Sequence, residues 1–216
     1  MSQQAIKTFN TAGPCVPSKH YMLPVLPRQE DVDEMIQGGY YFVLHAPRQS
    51  GKTTYLLDIV NKINNEGQYY ALYCSLEALD KLYERKPAID EILNQIFISL
   101  RSSNIKNYGR LLSKFKPPIG FSVTTNIKLF LNYLCEKLNK ELIIFFDEAD
   151  CLTEEPLVTF LRQIRQGYNT RSSLNSKFPR SLALVGIRDI RDYLTQIRPE
   201  EASRGLASPF NIKKEA

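Results

Sequence analysis

The 216-residue chain is 43% apolar and 24% charged, a composition ordinary for a soluble globular protein of one domain, with or without an arm. No run approaches roughly 18 uninterrupted apolar residues, which argues against a transmembrane helix, and MSQQAIKTFN has no apolar signal core. The net charge of +5, from 28 basic and 23 acidic residues that are dispersed, is weak evidence for nucleic acid. Cys15, Cys74, Cys135 and Cys151 are scattered without a CxxC pair and read as reduced thiols of a cytoplasmic protein with no membrane attachment.

In chain order, residues 1–30 hold Pro14, Pro17, Pro24 and Pro27 and read as an extended arm. EDVDEMIQ, 30–37, suits a short helix closed by Gly38 and Gly39. YYFVLHA, 40–46, is aromatic and β-branched and reads as a buried strand. The spacing predicts a helix over 53–65 with Leu56, Leu57, Val60 and Ile63 on one face. YYALYCS, 69–75, is a second strand, and a helix follows near 88–101. Residues 104–122 are basic, contain Pro117-Pro118, and read as an irregular loop. A helix over 125–139 precedes the apolar run LIIFFDEAD, 142–150. A helix near 156–166 carries Pro156 in its first turn. SLALVGI, 181–187, is a fourth strand and SPFNI, 208–212, a fifth. Strands alternating with helices, apolar on both faces, predict an α/β three-layer sandwich around a mostly parallel sheet.

Two segments carry chemistry. HAPRQSGKTT, 45–54, places a sharp turn between a strand and a helix start, the context in which successive N–H groups converge on an anion. Ala46 stands where such loops have their first glycine, and Pro47 cannot donate. The expected phosphate donors are therefore the N–H groups of Gln49, Ser50, Gly51, Lys52, Thr53 and Thr54. Lys52 would reach the β- and γ-phosphates, and the Thr53 hydroxyl would serve Mg²⁺. In LIIFFDEAD, Asp147 emerges at the C-terminal end of a buried strand, where open α/β sheets bind ligands. It would hold Mg²⁺ through water, while Glu148 polarises an attacking water as general base. Asp150 reads as a cap for the following segment. The cluster Arg162, Arg165, Arg171, Lys177 and Arg180 fits a solvated face as well as a phosphate-binding patch.

APRQSGKTT and LIIFFDEAD resemble the Walker A and Walker B motifs of additional-strand P-loop ATPases. With the arm FNTAGPCVPSKHYMLPVLPR and the late SPFNI, the chain is similar to bacterial AAA-like domain proteins, relatives of AAA+ and STAND-type ATPases, over about Phe9 to Ile212. The resemblance implies a five-stranded sheet of order 5-1-4-3-2, with SLALVGI inserted between the two motif strands. It makes Arg188 a sensor near the γ-phosphate, against the reading of a surface arginine opening a loop. It also sets Leu23 to Arg28 near the adenine. The implied organisation is an arm and short helix over 1–37 and a P-loop core over 38–216, without the helical lid of such relatives.

The leading functional reading is ATP binding and Mg²⁺-dependent hydrolysis coupled to a signalling or remodelling partner or a second copy of the chain. Arg162, Arg165 and Arg171 are the candidate arginine donors to a neighbouring subunit. The rivals are a non-hydrolysing ATP-binding switch and an ATP-dependent nucleic-acid-binding protein, the latter motivated by the basic stretches 104–116 and 162–180.

Overall fold

The computed structural model describes residues 7–10, 13, 15–16, 18–21, 26–45, 47, 49–103, 105, 108–114, 122–152, 154–171, 176–187, 192, 210 and 212–215. Helix α1 (Leu26–Gln37) leads into β1 (Tyr41–His45) and α2 (Lys52–Glu66), then β2 (Tyr70–Ser75) and α3 (Arg85–Ser102). After α4 (Tyr108–Lys114) and α5 (Asn126–Lys137) come β3 (Leu142–Asp147), α6 (Glu154–Thr170), β4 (Ser181–Gly186) and β5 (Ile212–Glu215). Short 3₁₀ turns, Glu77–Leu79 and Ala149–Cys151, follow β2 and β3.

The sheet has five strands in the order β2-β3-β4-β1-β5, which is the expected 5-1-4-3-2 read from the opposite edge, and every pair is parallel. Alternation along the strands sends successive residues to opposite faces. Tyr41, Val43, Leu72, Cys74, Ile144, Phe146 and Leu184 join α3, α5 and α6 in one core. Phe42, Leu44, Ala71, Ile143, Phe145 and Val185 join α1 and α2 in the other. Because odd-numbered β3 residues face α2, Asp147 at the end of that series is directed toward α2 and not toward α6.

Several element boundaries differ from the pattern-based expectation. The first helix starts at Leu26 and not at residue 30, with Pro27 at its second position, where its missing N–H is no loss. Within 104–122, expected to be irregular, α4 forms and packs Leu112 against the core; Pro117 and Pro118 lie outside the described residues. In α2 the buried face is Leu56, Ile59 and Ile63, with Leu57 and Val60 half-buried. The fifth strand lies at Ile212–Glu215, pairing with β1 from Phe42↔Ile212, so it begins where the expected strand was to end. Helix α6 is longer than expected and buried on nearly all sides, including Phe160, Gln163 and Ile164. Gln163, fully buried, accepts the N–H of Ile127 (2.8 Å) and donates to the Val123 carbonyl (3.1 Å), so one helix caps the start of another. No helix among the described residues is long and apolar enough to cross a membrane.

Candidate functional site

The chain leaves β1 at His45 and enters α2 at Lys52, so the first turn of α2 opens at the C-terminal end of the sheet. The N–H groups of a first helical turn have no partner within the helix and carry the positive end of its dipole. Two residues bend the chain into that position, both in the left-handed region: Gln49 at φ 59 and Gly51 at φ 84. Gly51 needs to be glycine for its φ, and a Cβ built there would meet nothing within 4 Å. The backbone thus borders open space where an anion could approach. Gln49, Ser50 and Gly51 are exposed; Lys52, Thr53 and Thr54 are half-buried. Lys52 folds back over the turn and donates from Nζ to the Pro47 carbonyl at 2.8 Å. Ala46 and Arg48 lie outside the described residues.

The acidic segment meets this turn. Thr53 Oγ1 donates to Asp147 Oδ2 at 2.8 Å, although the two residues are separated by the inserted strand β4 in the sheet and by 94 positions in sequence. Asp147 is fully buried. Its carboxylate is held at both oxygens: Oδ2 also accepts the Tyr73 hydroxyl (3.1 Å), and Oδ1 accepts the Glu148 N–H (2.9 Å). A buried carboxylate needs such donors to remain in place. Tyr73 had no signal in a sequence pattern. It is found only through register, since β2 places Tyr73 beside Phe145, one alternation below Asp147 and on the same face.

Glu148 adopts a left-handed backbone, φ 56 and ψ 40, which a glutamate rarely takes. Burial, then the neighbouring Asp147 and Asp150 carboxylates, push its pKa above the usual carboxylate range, and Lys52 partly opposes this. Among the described residues no cluster of three or more His, Cys, Asp or Glu could hold a metal by itself. Magnesium needs less, since one hydroxyl and one carboxylate oxygen can suffice when phosphates supply further ligands. Thr53 and Asp147 are the hard oxygen donors that fit. Beside them, the Cys151 thiol is raised to about 11 by burial and by Asp150 and Glu148, so it is not a thiolate near neutral pH.

Asp150, expected as a cap for the segment after it, has a partner distant in sequence: its Oδ1 accepts the Ile187 N–H (3.1 Å) just past β4. Arg171 and Arg180 belong to no phosphate-binding patch at this site. They lie at the opposite end of the sheet, where Arg171 donates to the carbonyls of Gly39 (2.8 Å), Pro179 and Arg180, and Arg180 donates to Ile36, Gln37 and Glu141. Arg171 is therefore held by carbonyls of its own chain. Arg188 lies outside the described residues, as do Leu23 to Val25; Leu26 to Arg28 form the start of α1. The arm touches the site elsewhere, through the Cys15 N–H on Thr54 Oγ1 at 3.0 Å.

A strand, a left-handed turn and a helix start, facing an acidic strand end one strand across in a 5-1-4-3-2 parallel sheet, define the additional-strand P-loop class. The chain belongs to the AAA-like domain family, whose model matches residues 13–212. No curated protein matches it in sequence. Its fold is similar to that of Cdc6p from Pyrobaculum aerophilum, at 21% identity and a TM-score of 0.52 over 92% of this chain and 47% of that one. It is also similar to the ORC2 protein of Aeropyrum pernix in its ADPNP–ADP complexes, at 13% identity and a TM-score of 0.50 over 90% and 49%. The chain spans about half the length of these solved proteins.

Proposed function

We propose that this protein binds ATP with Mg²⁺ between the first turn of α2 and the end of β3, and hydrolyses it. The observation that carries the proposal is the 2.8 Å bond from Thr53 to Asp147, which joins the phosphate-loop helix to the acidic strand end. The ORC2 relative in its ADPNP–ADP complexes is in line with a nucleotide at such a site.

In this reading the N–H groups of Gln49 to Thr54 hold the β- and γ-phosphate oxygens, helped by the α2 dipole. Lys52 exchanges its bond to the Pro47 carbonyl for the γ-phosphate. Thr53, whose hydroxyl hydrogen-bonds to Asp147, would keep its lone pairs for the metal, and Asp147 would help to hold that ion. Bound Mg²⁺ supplies charge neutralisation at the phosphate oxygens. Glu148 orients a water in line with the γ-phosphorus and accepts its proton; the upward shift of its pKa makes it a stronger proton acceptor than an ordinary carboxylate. The hydrolytic product state would then alter a contact with a protein partner or second copy of the chain.

The test is ATP binding and turnover for the wild type, Lys52→Ala and Glu148→Gln, with Mg²⁺ and with EDTA. Lys52→Ala should weaken ATP binding by about 100-fold. Glu148→Gln should keep binding and lose turnover by about 100-fold or more. Equal ATP affinity in wild type and Lys52→Ala would end the proposal; retained turnover in Glu148→Gln would leave a nucleotide-binding switch.

A further inference from the structure

The ladder between β3 and β4 ends at the pair Phe146↔Leu184. Beyond it, β3 runs one residue further to Asp147 and passes into Glu148, while β4 continues beside β1 to Gly186 and passes into Ile187. A side chain takes over where the ladder stops: Asp150 Oδ1 accepts the Ile187 N–H at 3.1 Å. Gly186, the last residue of β4, leaves the room for this. A Cβ at Gly186 would lie 2.6 Å from that same Oδ1, closer than non-bonded atoms tolerate. Gly186 does not have a positive φ, so its need for glycine is the carboxylate beside it and not the backbone.

Asp150 is also tied to Glu148. It sits in the 3₁₀ turn Ala149–Cys151, whose Cys151 N–H donates to the Glu148 carbonyl (2.9 Å) and whose Leu152 N–H donates to the Ala149 carbonyl (3.1 Å). The left-handed backbone of Glu148 is the entry to this turn. Whatever holds Asp150 therefore holds the orientation in which Glu148 leaves the strand.

We propose that Asp150 is a positioning residue that locks the Glu148 turn to the outgoing end of β4, so that the water-activating carboxylate is held in register with Ile187. The Asp150–Ile187 hydrogen bond itself involves none of residues 49–54. The inference rests on the reading of Glu148 as the base.

The test uses the full chain and four variants: Asp150→Asn, Asp150→Ala, Gly186→Ala and the Asp150→Ala/Gly186→Ala double. Turnover, binding of a fluorescent ATP analogue and the melting temperature are measured for each. Asp150→Asn keeps an oxygen acceptor and should stay within about twofold of wild-type kcat. Asp150→Ala and Gly186→Ala should each lower kcat by about tenfold while Kd stays within about twofold, a misplacement effect of modest size. The double variant should be no slower than the slower single one, because both break the same contact. Wild-type turnover in Asp150→Ala, multiplied losses in the double variant, or a fall in affinity matching the fall in kcat would overturn the proposal. If the wild type binds ATP but does not turn it over, the reading of Glu148 fails separately. Hydrogen exchange at the Ile187 amide then decides the lock: protection should be lost in Asp150→Ala and Gly186→Ala and kept in Asp150→Asn, and unchanged protection in Asp150→Ala would overturn it.

Discussion

The two ends of the sheet use the same kinds of side chain in opposite ways. At the N-terminal end, Arg171 stacks over Tyr168 and Tyr41 with its guanidinium 4.2 and 5.2 Å from their ring centroids. It spends its N–H groups on the carbonyls of Gly39, Pro179 and Arg180. Arg180 lies over Tyr69 and bonds to carbonyls at the end of α1. Cations there donate to part-buried and exposed backbone carbonyls while their stems and planes pack on aromatic rings. At the C-terminal end, the backbone is bent into the left-handed region at Gln49 and Glu148, and buried Asp147 gathers its donors from three separate elements, α2, β2 and its own strand end. One end contributes cohesion; the other holds strained groups in a fixed arrangement, the pattern expected where chemistry occurs.

That contrast can be broken by mutation. Arg171→Ala should have the largest effect on stability, about 3 kcal/mol, because it removes ring contacts and the side-chain donor to the Gly39 and Arg180 carbonyls, while Pro179 keeps the Tyr41 hydroxyl; urea unfolding measures it. ATP affinity of the folded fraction should not change, and a selective loss of nucleotide binding would erase the distinction between the ends. A smaller, pH-dependent effect belongs to Glu148. Its folded pKa is raised, so the folded state holds the proton longer than the unfolded chain. Stability is therefore lost as pH rises from the unfolded value through the folded one, and stays lower above it. In EDTA and without nucleotide, Glu148→Gln should match the wild type in acid and become the more stable of the two as pH rises; melting curves across that range decide this. The smallest expected effect is at Gln49, exposed at φ 59. Gln49→Gly should stabilise by about 0.5 kcal/mol, the relief of left-handed strain less the extra freedom of the unfolded chain. Melting temperature with and without ATP analogue would sharpen the comparison: the gain should appear in both states.

Much of the site was legible beforehand because both of its walls are local. A phosphate-type loop and an acidic strand end are each contained in about ten residues, and the apolar run before Asp147 marks a strand buried on both faces. What pattern reading missed was set by distance in sequence. Tyr73 reaches Asp147 only through the β2–β3 register. Asp150 looks like a cap because short acidic residues commonly are, and nothing local shows that it accepts the N–H of Ile187, just past β4. Arg171 and Arg180 look like a basic surface because charge gives no hint of which carbonyls lie nearby.

By itself, the order of residues determined the alternation of strands and helices, the two motif segments and the residue types within them, since periodicity, turn chemistry and helix starts are short-range effects. Only the tertiary structure decided which carboxylate meets which hydroxyl, which end of the sheet consumes its arginines, and why Gly186 must lack a side chain. Those outcomes depend on strand register and on packing between elements distant in the chain, where a shift of one residue would turn Asp147 to the other face of the sheet.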